Sequence, residues 1–285
     1  ASGKKLEEAP VPPFLPDHPV VREEMLDYLH EVEWFDEHLG KMLARIEALG
    51  ELDNTIVIVT SDNGISLPSA KANLRDLGTH VPMAVRWPGH VAAGQVSDGL
   101  VSAIDLGPSL LQAAGVQVPQ TMTGRVFFDT TGVLTGRDYV LTGRERHTHA
   151  RYDNLGYPAR AIRDTEHLLI WNMKQERWPA GDPEGFYDVD DGPSKQLLIS
   201  ERERFPAEFA LAFSKRPEFE LFAVGKDPGC RENLAEHPDL ASKRAILVAR
   251  LERALREQED PRVVGPNKDI FDTYPRVSHM RPELG

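Results

Sequence analysis

From Pro19 onward, Val21, Met25, Leu29, Val32, Phe35, Leu39, Met42, Ile46 and Leu49 recur at steps of three and four. That period predicts an amphipathic helix over 19–49, of about eight turns at 3.6 residues each. Pro19 suits a first turn, Glu23 and Glu24 complement the dipole there, and Gly50 supplies a stop. The period then changes. Ile56-Val57-Ile58-Val59-Thr60 is a continuous β-branched run, the pattern of a strand buried on both faces of a parallel sheet. Val81 to Trp87 reads as the next strand of that sheet, ended by Pro88-Gly89.

Further along, residues 104–114 read as a short helix stopped by Gly115, and 116–137 as a Gly- and Thr-rich connection. The texture changes at Asp138. Tyr139-Val140-Leu141-Thr142 is a short strand, and Ala159–Arg163 with His167–Asn172 reads as a hairpin around Asp164-Thr165-Glu166. Residues 175–194 form a loop in which Trp178, Phe186 and Tyr187 stand among prolines and glycines, suited to shaping a sugar pocket or to packing over a sheet edge. Glu220–Val224 is another strand, and Leu240, Leu247, Leu251 and Leu255 mark a helix over 239–258. The expected division is an α/β part over 1–137 and an α+β subdomain with an antiparallel sheet over 138–285.

The chain has 285 residues, enough for one large or two ordinary domains. Its net charge of −12, from 45 acidic and 33 basic residues, argues against a nucleic-acid binder with a broad basic face. An anionic substrate stays compatible, because a bound cation and a few local bases set the field of one pocket. No run approaches the roughly 18 apolar residues of a membrane span. The single cysteine, Cys230, excludes an intrachain disulfide.

Candidate chemistry gathers after the first strand. Asp62 and Asn63 stand where that strand should end, the place where open α/β sheets bind ligands. Both offer hard oxygens of the kind Ca²⁺ or Mg²⁺ prefers, and Lys71 brings a positive charge to the same loop. The competing reading is a plain turn, since Asn63-Gly64 is a strong hairpin signal. A hairpin needs a second strand at once, and Ile65-Ser66-Leu67-Pro68 has a proline and no alternation. Asp76 near the loop's end reads as a structural cap. His147-x-His149 on a strand would put two rings on one face, with no third metal ligand placed nearby.

The stretch from Thr60 through Asp62-Asn63-Gly64 and Lys71 to Trp87-Pro88-Gly89 resembles the second metal-binding segment of the type I sulfatases, in the alkaline phosphatase-like superfamily. Within it, Ser61-Asp62-Asn63-Gly64 followed by Leu67-Pro68-Ser69-Ala70-Lys71-Ala72-Asn73-Leu74 is similar to the heparan N-sulfatase (sulfamidase) branch. Segments around Ile104-Asp105-Leu106, Arg144–His149, Tyr157–Asn172 and Glu220–Pro238 agree in the same order. The resemblance implies the C-terminal part of the large mixed sheet with flanking helices, plus the smaller α+β subdomain. It implies Ca²⁺ (with Mg²⁺ possible) on Asp62 and Asn63, sulfate on Lys71 as a catalytic and substrate-binding residue, and substrate contact by His147. Its partners would be a sulfated sugar or glycosaminoglycan fragment, and its compartment periplasmic or secreted.

One departure matters. Sulfatases carry a Cys-x-Pro-x-Arg motif whose Cys becomes formylglycine, whereas Cys230 here is followed by Arg231-Glu232. The expectation is therefore the C-terminal part of a sulfatase, with formylglycine in an N-terminal half outside this sequence and no activity in this chain alone. The competing functions are a non-catalytic module that binds anionic glycan, and a phosphohydrolase of the same superfamily.

Overall fold

The computed structural model describes residues 4–128, 134–148, 151, 153 and 155–275. The chain folds as two compact units that interleave along the sequence. One comprises 1–28, 63–81 and 141–285, the other 29–62 and 82–140.

In the first unit, helix α1 (Pro19–Ala48) begins, and its first turns enter the core. Val21 and Met25 pack there with Phe14, Leu15, Leu67, Ala70, Val189, Leu198 and Phe213. Strands β3 (Val140–Arg144), β4 (Ala159–Arg163), β5 (Leu168–Asn172) and β6 (Phe219–Phe222) form one sheet in that order. The β4–β5 and β5–β6 pairs are antiparallel, with Ala161 opposite Ile170 and Leu169 opposite Leu221. The hairpin lies where the sequence placed it, around Asp164-Thr165-Glu166. Asp164 closes its turn, accepting from the backbone N–H groups of Glu166 (3.0 Å) and His167 (2.8 Å). A second core lies on this sheet, built from Leu74, Tyr157, Ala159, Ala161, Leu168, Ile170, Phe222 and Cys230. Helices α4 (Pro193–Ser200), α5 (Pro206–Phe213) and α6 (Ala241–Glu257), together with the single turns α2 (Asp76–Thr79) and α7 (Pro261–Val264), complete the unit. The first two of these, α4 and α5, lie in a stretch whose pattern gives no reading. Each begins with proline at its first position, which is where the sequence signal lay.

The second unit holds β1 (Val57–Thr60), β2 (Met83–Arg86) and α3 (Leu106–Ala113). Here the expectation of parallel strands fails: β1 and β2 pair antiparallel, Val57 opposite Arg86 and Thr60 opposite Met83. A continuous β-branched run specifies a strand but carries no direction. β1 is half-buried with Thr60 exposed, rather than covered on both faces. The stripe of α1 also departs from expectation beyond its first turns. Val32, Phe35, Met42 and Leu49 are 43%, 44%, 54% and 61% exposed, so the amphipathic period is present without a covering layer. Asp105 organises the rest. Its carboxylate accepts from Ser102 N (2.9 Å), Arg125 N (2.7 Å) and Arg137 Nε (2.7 Å).

Candidate functional site

The site loop, 63–80, is a self-packed structure. Gly64 N donates to the Gly78 carbonyl at 3.1 Å, and Lys71 N to the Ile65 carbonyl at 3.0 Å. A Cβ on Gly64 would fall 2.0 Å from the Leu77 oxygen, so glycine is required where the two ends of the loop meet. Ser69 and Ala72, on either side of Lys71, hold left-handed φ values of 69° and 60°. Non-glycine residues pay for that conformation, and it is found most often where a loop is built for a task.

Four anchors fix the loop to its unit. Leu67 and Ala70 enter one core and Leu74 the other. Arg75, 5% exposed at its side chain, donates to Glu220 (3.0 Å) and to the Leu211 carbonyl (2.8 Å). The Asn73 oxygen accepts from Arg216 at 2.6 Å. Asp76 pairs with Arg163 at 2.6 Å and His80 at 3.1 Å. Burial opposes ionisation of Asp76, but the bonds from His80 and Arg163 outweigh it and hold the carboxyl below its usual range. Asp76 is not the cap expected of it: Arg75 holds the N-cap position of α2, and the Asp76 carboxylate, at the first position of the helix, engages Arg163 and His80 instead.

Lys71 does not project alone. Its ammonium lies 2.6 Å from Asp190 Oδ2. The same oxygen accepts from Ser66 Oγ at 2.6 Å, and Asp190 Oδ1 lies 3.2 Å from His147 Nε2. Two residues singled out in the sequence, Lys71 and His147, are thereby brought onto one carboxylate. Burial works against the charge on Asp190, yet the bonds from Lys71, Ser66 and His147 bring its pKa down to about 2. The side chains of Lys71, His147 and Asp190 stay 27%, 28% and 34% exposed, so a ligand can reach them.

Asp190 is held by its neighbours. Asp188, fully buried, accepts from the backbone N–H and the hydroxyl of Thr148, each at 3.0 Å, and pairs with Arg151. Val189 is buried between the two acids. The segment 147–148 is therefore clamped to 188–190, with one carboxylate turned inward and the next outward. The sequence pointed to neither Asp190 nor Ser66. The signal available was the alternation Asp188-Val189-Asp190, in which two acids two residues apart take opposite sides of an apolar residue.

Asp62 is exposed and stands two residues past the end of β1; Asn63 comes next and donates from its amide nitrogen to the Gly64 carbonyl at 3.1 Å. A carboxylate and an amide oxygen suit a hard cation in kind. They fall short in number, since Ca²⁺ takes six to eight oxygens, and among the described residues no group of three or more His, Cys, Asp or Glu could hold a metal. His149 lies outside the described residues. Cys230 is buried at a left-handed φ of 50°, and burial pushes its thiol up to about 12; followed by Arg231-Glu232, it lacks the Cys-x-Pro-x-Arg pattern of a formylglycine precursor.

Residues 5–116 match the profile of the Sulfatase family, and residues 71–194 that described as N-sulphoglucosamine sulphohydrolase, C-terminal. The chain is 29% identical over 252 residues to an ulvan-active sulfatase of Formosa agariphila, which covers 86% of this chain and 40% of that protein. It is 29% identical over 294 residues to human N-sulphoglucosamine sulphohydrolase, with 96% of this chain and 56% of that protein covered. A solved structure in complex with its substrate D-glucosamine-2-N,6-O-disulfate superposes with a TM-score of 0.57 at 21% identity, over 89% of this chain and 45% of that one. The fold is the alkaline phosphatase-like fold of those enzymes. The chain spans about half the length of the curated relatives it matches.

Proposed function

We propose, on the premise that this chain belongs to the sulfatases, that it supplies part of the metal and sulfate site of a hydrolase that cleaves a sulfate ester or sulfamate on a carbohydrate. The observation that carries this reading is the joining of Lys71 and His147 at Asp190, on the strained loop that begins at Asn63. The names of the relatives support a sulfated sugar as substrate, N-sulfoglucosamine among them.

In this reading Asp62 and Asn63 contribute oxygens to a bound Ca²⁺, which when present supplies Lewis-acid polarisation of the sulfo oxygens. Lys71 binds the sulfo group as a compact point charge on a flexible stem. Ser66 and His147 steady Asp190, and Asp190 steadies Lys71. The formylglycine nucleophile has no candidate among these 285 residues, and the reading takes it from a segment outside them.

The deciding experiment is hydrolysis of N-sulfo- and 6-O-sulfoglucosamine by the full-length protein with Ca²⁺, followed as inorganic sulfate released. Turnover that falls sharply in Lys71→Ala supports the site. Turnover unchanged by that substitution sinks it.

A further inference from the structure

Resting on that reading of Lys71, we propose that Asp190 sets the charge preference of the anion site, holding down its affinity for doubly charged phosphoryl groups and so narrowing the advantage they would have over singly charged sulfo groups. A lone ammonium attracts a dianion more strongly than a monoanion, because the attraction scales with charge. A carboxylate behind it subtracts a repulsion that scales in the same way. The dianion therefore loses twice what the monoanion loses, and the advantage it would have at a bare lysine shrinks.

The geometry makes Asp190 a fixed part of this balance. Its Oδ2 is 2.6 Å from Lys71 Nζ and 2.6 Å from Ser66 Oγ, while Oδ1 is engaged by His147 at 3.2 Å. Both oxygens are thus committed, and the backbone is pinned by buried Val189 and by Asp188 on Thr148. These bonds hold the carboxylate beside the ammonium. The other nearby charges do not replace it: Lys195 points its ammonium inward to the Val189 carbonyl at 3.0 Å, and Asp191 accepts from Gln196 at 2.5 Å.

The test uses two non-hydrolysable ligands of one shape, benzylsulfonate and benzylphosphonate, titrated by calorimetry into the full-length protein at pH 9 and low ionic strength. The first carries one negative charge there and the second two. Asp190→Asn is expected to tighten benzylphosphonate at least tenfold more than benzylsulfonate, and Asp190→Glu, which keeps the charge, to hold the wild-type ratio. Equal changes for both ligands, or none, in Asp190→Asn would overturn the proposal while leaving the Lys71 site in place. Lys71→Ala is expected to abolish binding of both. Undiminished benzylsulfonate binding in that variant would remove the anion site itself, and the proposal with it.

Discussion

Arg75 on the site loop donates to Glu220 on β6 at 3.0 Å, and both side chains are at most 5% exposed. Arg216 shares the same interior, 3.9 Å from the other oxygen of Glu220, and Asn172 donates to that oxygen at 3.0 Å. One buried acid thus serves two buried guanidiniums. Burial alone would neutralise Glu220, but Arg216 and Arg75 hold it ionised, below its usual range. Glu220→Gln keeps the shape and removes the charge, leaving both arginines without a counter-ion. Removing one partner of a buried pair costs about 3–5 kcal/mol, a large share of the roughly 5–15 kcal/mol of a typical domain. Urea unfolding should show that loss. A change below about 0.5 kcal/mol, typical of a surface site, would mean that the pair does not anchor the loop.

Cys230 gives a prediction about reactivity. Its thiol is buried and pushed up to about 12, chiefly by burial, and only thiolates are nucleophilic. The native protein at pH 8 should leave a thiol reagent such as dithionitrobenzoate unconsumed, and the unfolded protein should consume one equivalent at once. Rapid labelling under native conditions would contradict the packing around Cys230. Cys230→Ser should leave any sulfatase turnover unchanged.

The acid limb of stability bears on Asp190. Its folded pKa, about 2, lies below that of an unfolded carboxylate. A depressed carboxylate contributes stability above its unfolded pKa and loses it as pH falls through the folded one. Wild type should therefore exceed Asp190→Asn in melting temperature at pH 6, with the gap closing as pH drops from about 4 to about 2. A gap that persists unchanged at pH 2 would mean that the carboxylate's charge is not what Lys71, Ser66 and His147 hold.

The pattern of apolar residues carried the local elements well. The β4–β5 hairpin was legible because two apolar runs flank the Asp164-Thr165-Glu166 turn, and α6 because leucines recur on one face. The direction of β1 against β2 was not legible, because it depends on how the long loop from Asp62 to His80 returns the chain, and a β-branched run is silent on that. At the site, Asp62, Asn63 and Lys71 stood out through their spacing after a strand. Asp190 did not, because it lies within the loop read over 175–194 and its partner Ser66 lies 124 residues away. Long-range pairing of that kind leaves no local period to read.

Lys71 provides the most direct test of function. If its ammonium stabilises the transferred sulfo group, Lys71→Ala should lower kcat as well as kcat/KM, since the contact strengthens toward the transition state. Loss of one such electrostatic donor costs about 10²–10³ in rate. Stability should change by less than about 1 kcal/mol, because the Lys71–Asp190 pair is partly exposed and such pairs contribute little. Lys71→Arg should restore only part of the rate, a guanidinium fork being larger than the ammonium that Asp190 now holds at 2.6 Å. A competing account makes Lys71 merely the counter-ion that keeps Asp190 quiet. The double variant Lys71→Ala with Asp190→Asn separates the two. If Lys71 only neutralises Asp190, removing both charges should recover most of the lost rate. If Lys71 binds the sulfo group itself, the double variant should be no faster than Lys71→Ala alone, because the lost contact is with the substrate and no change at Asp190 can replace it.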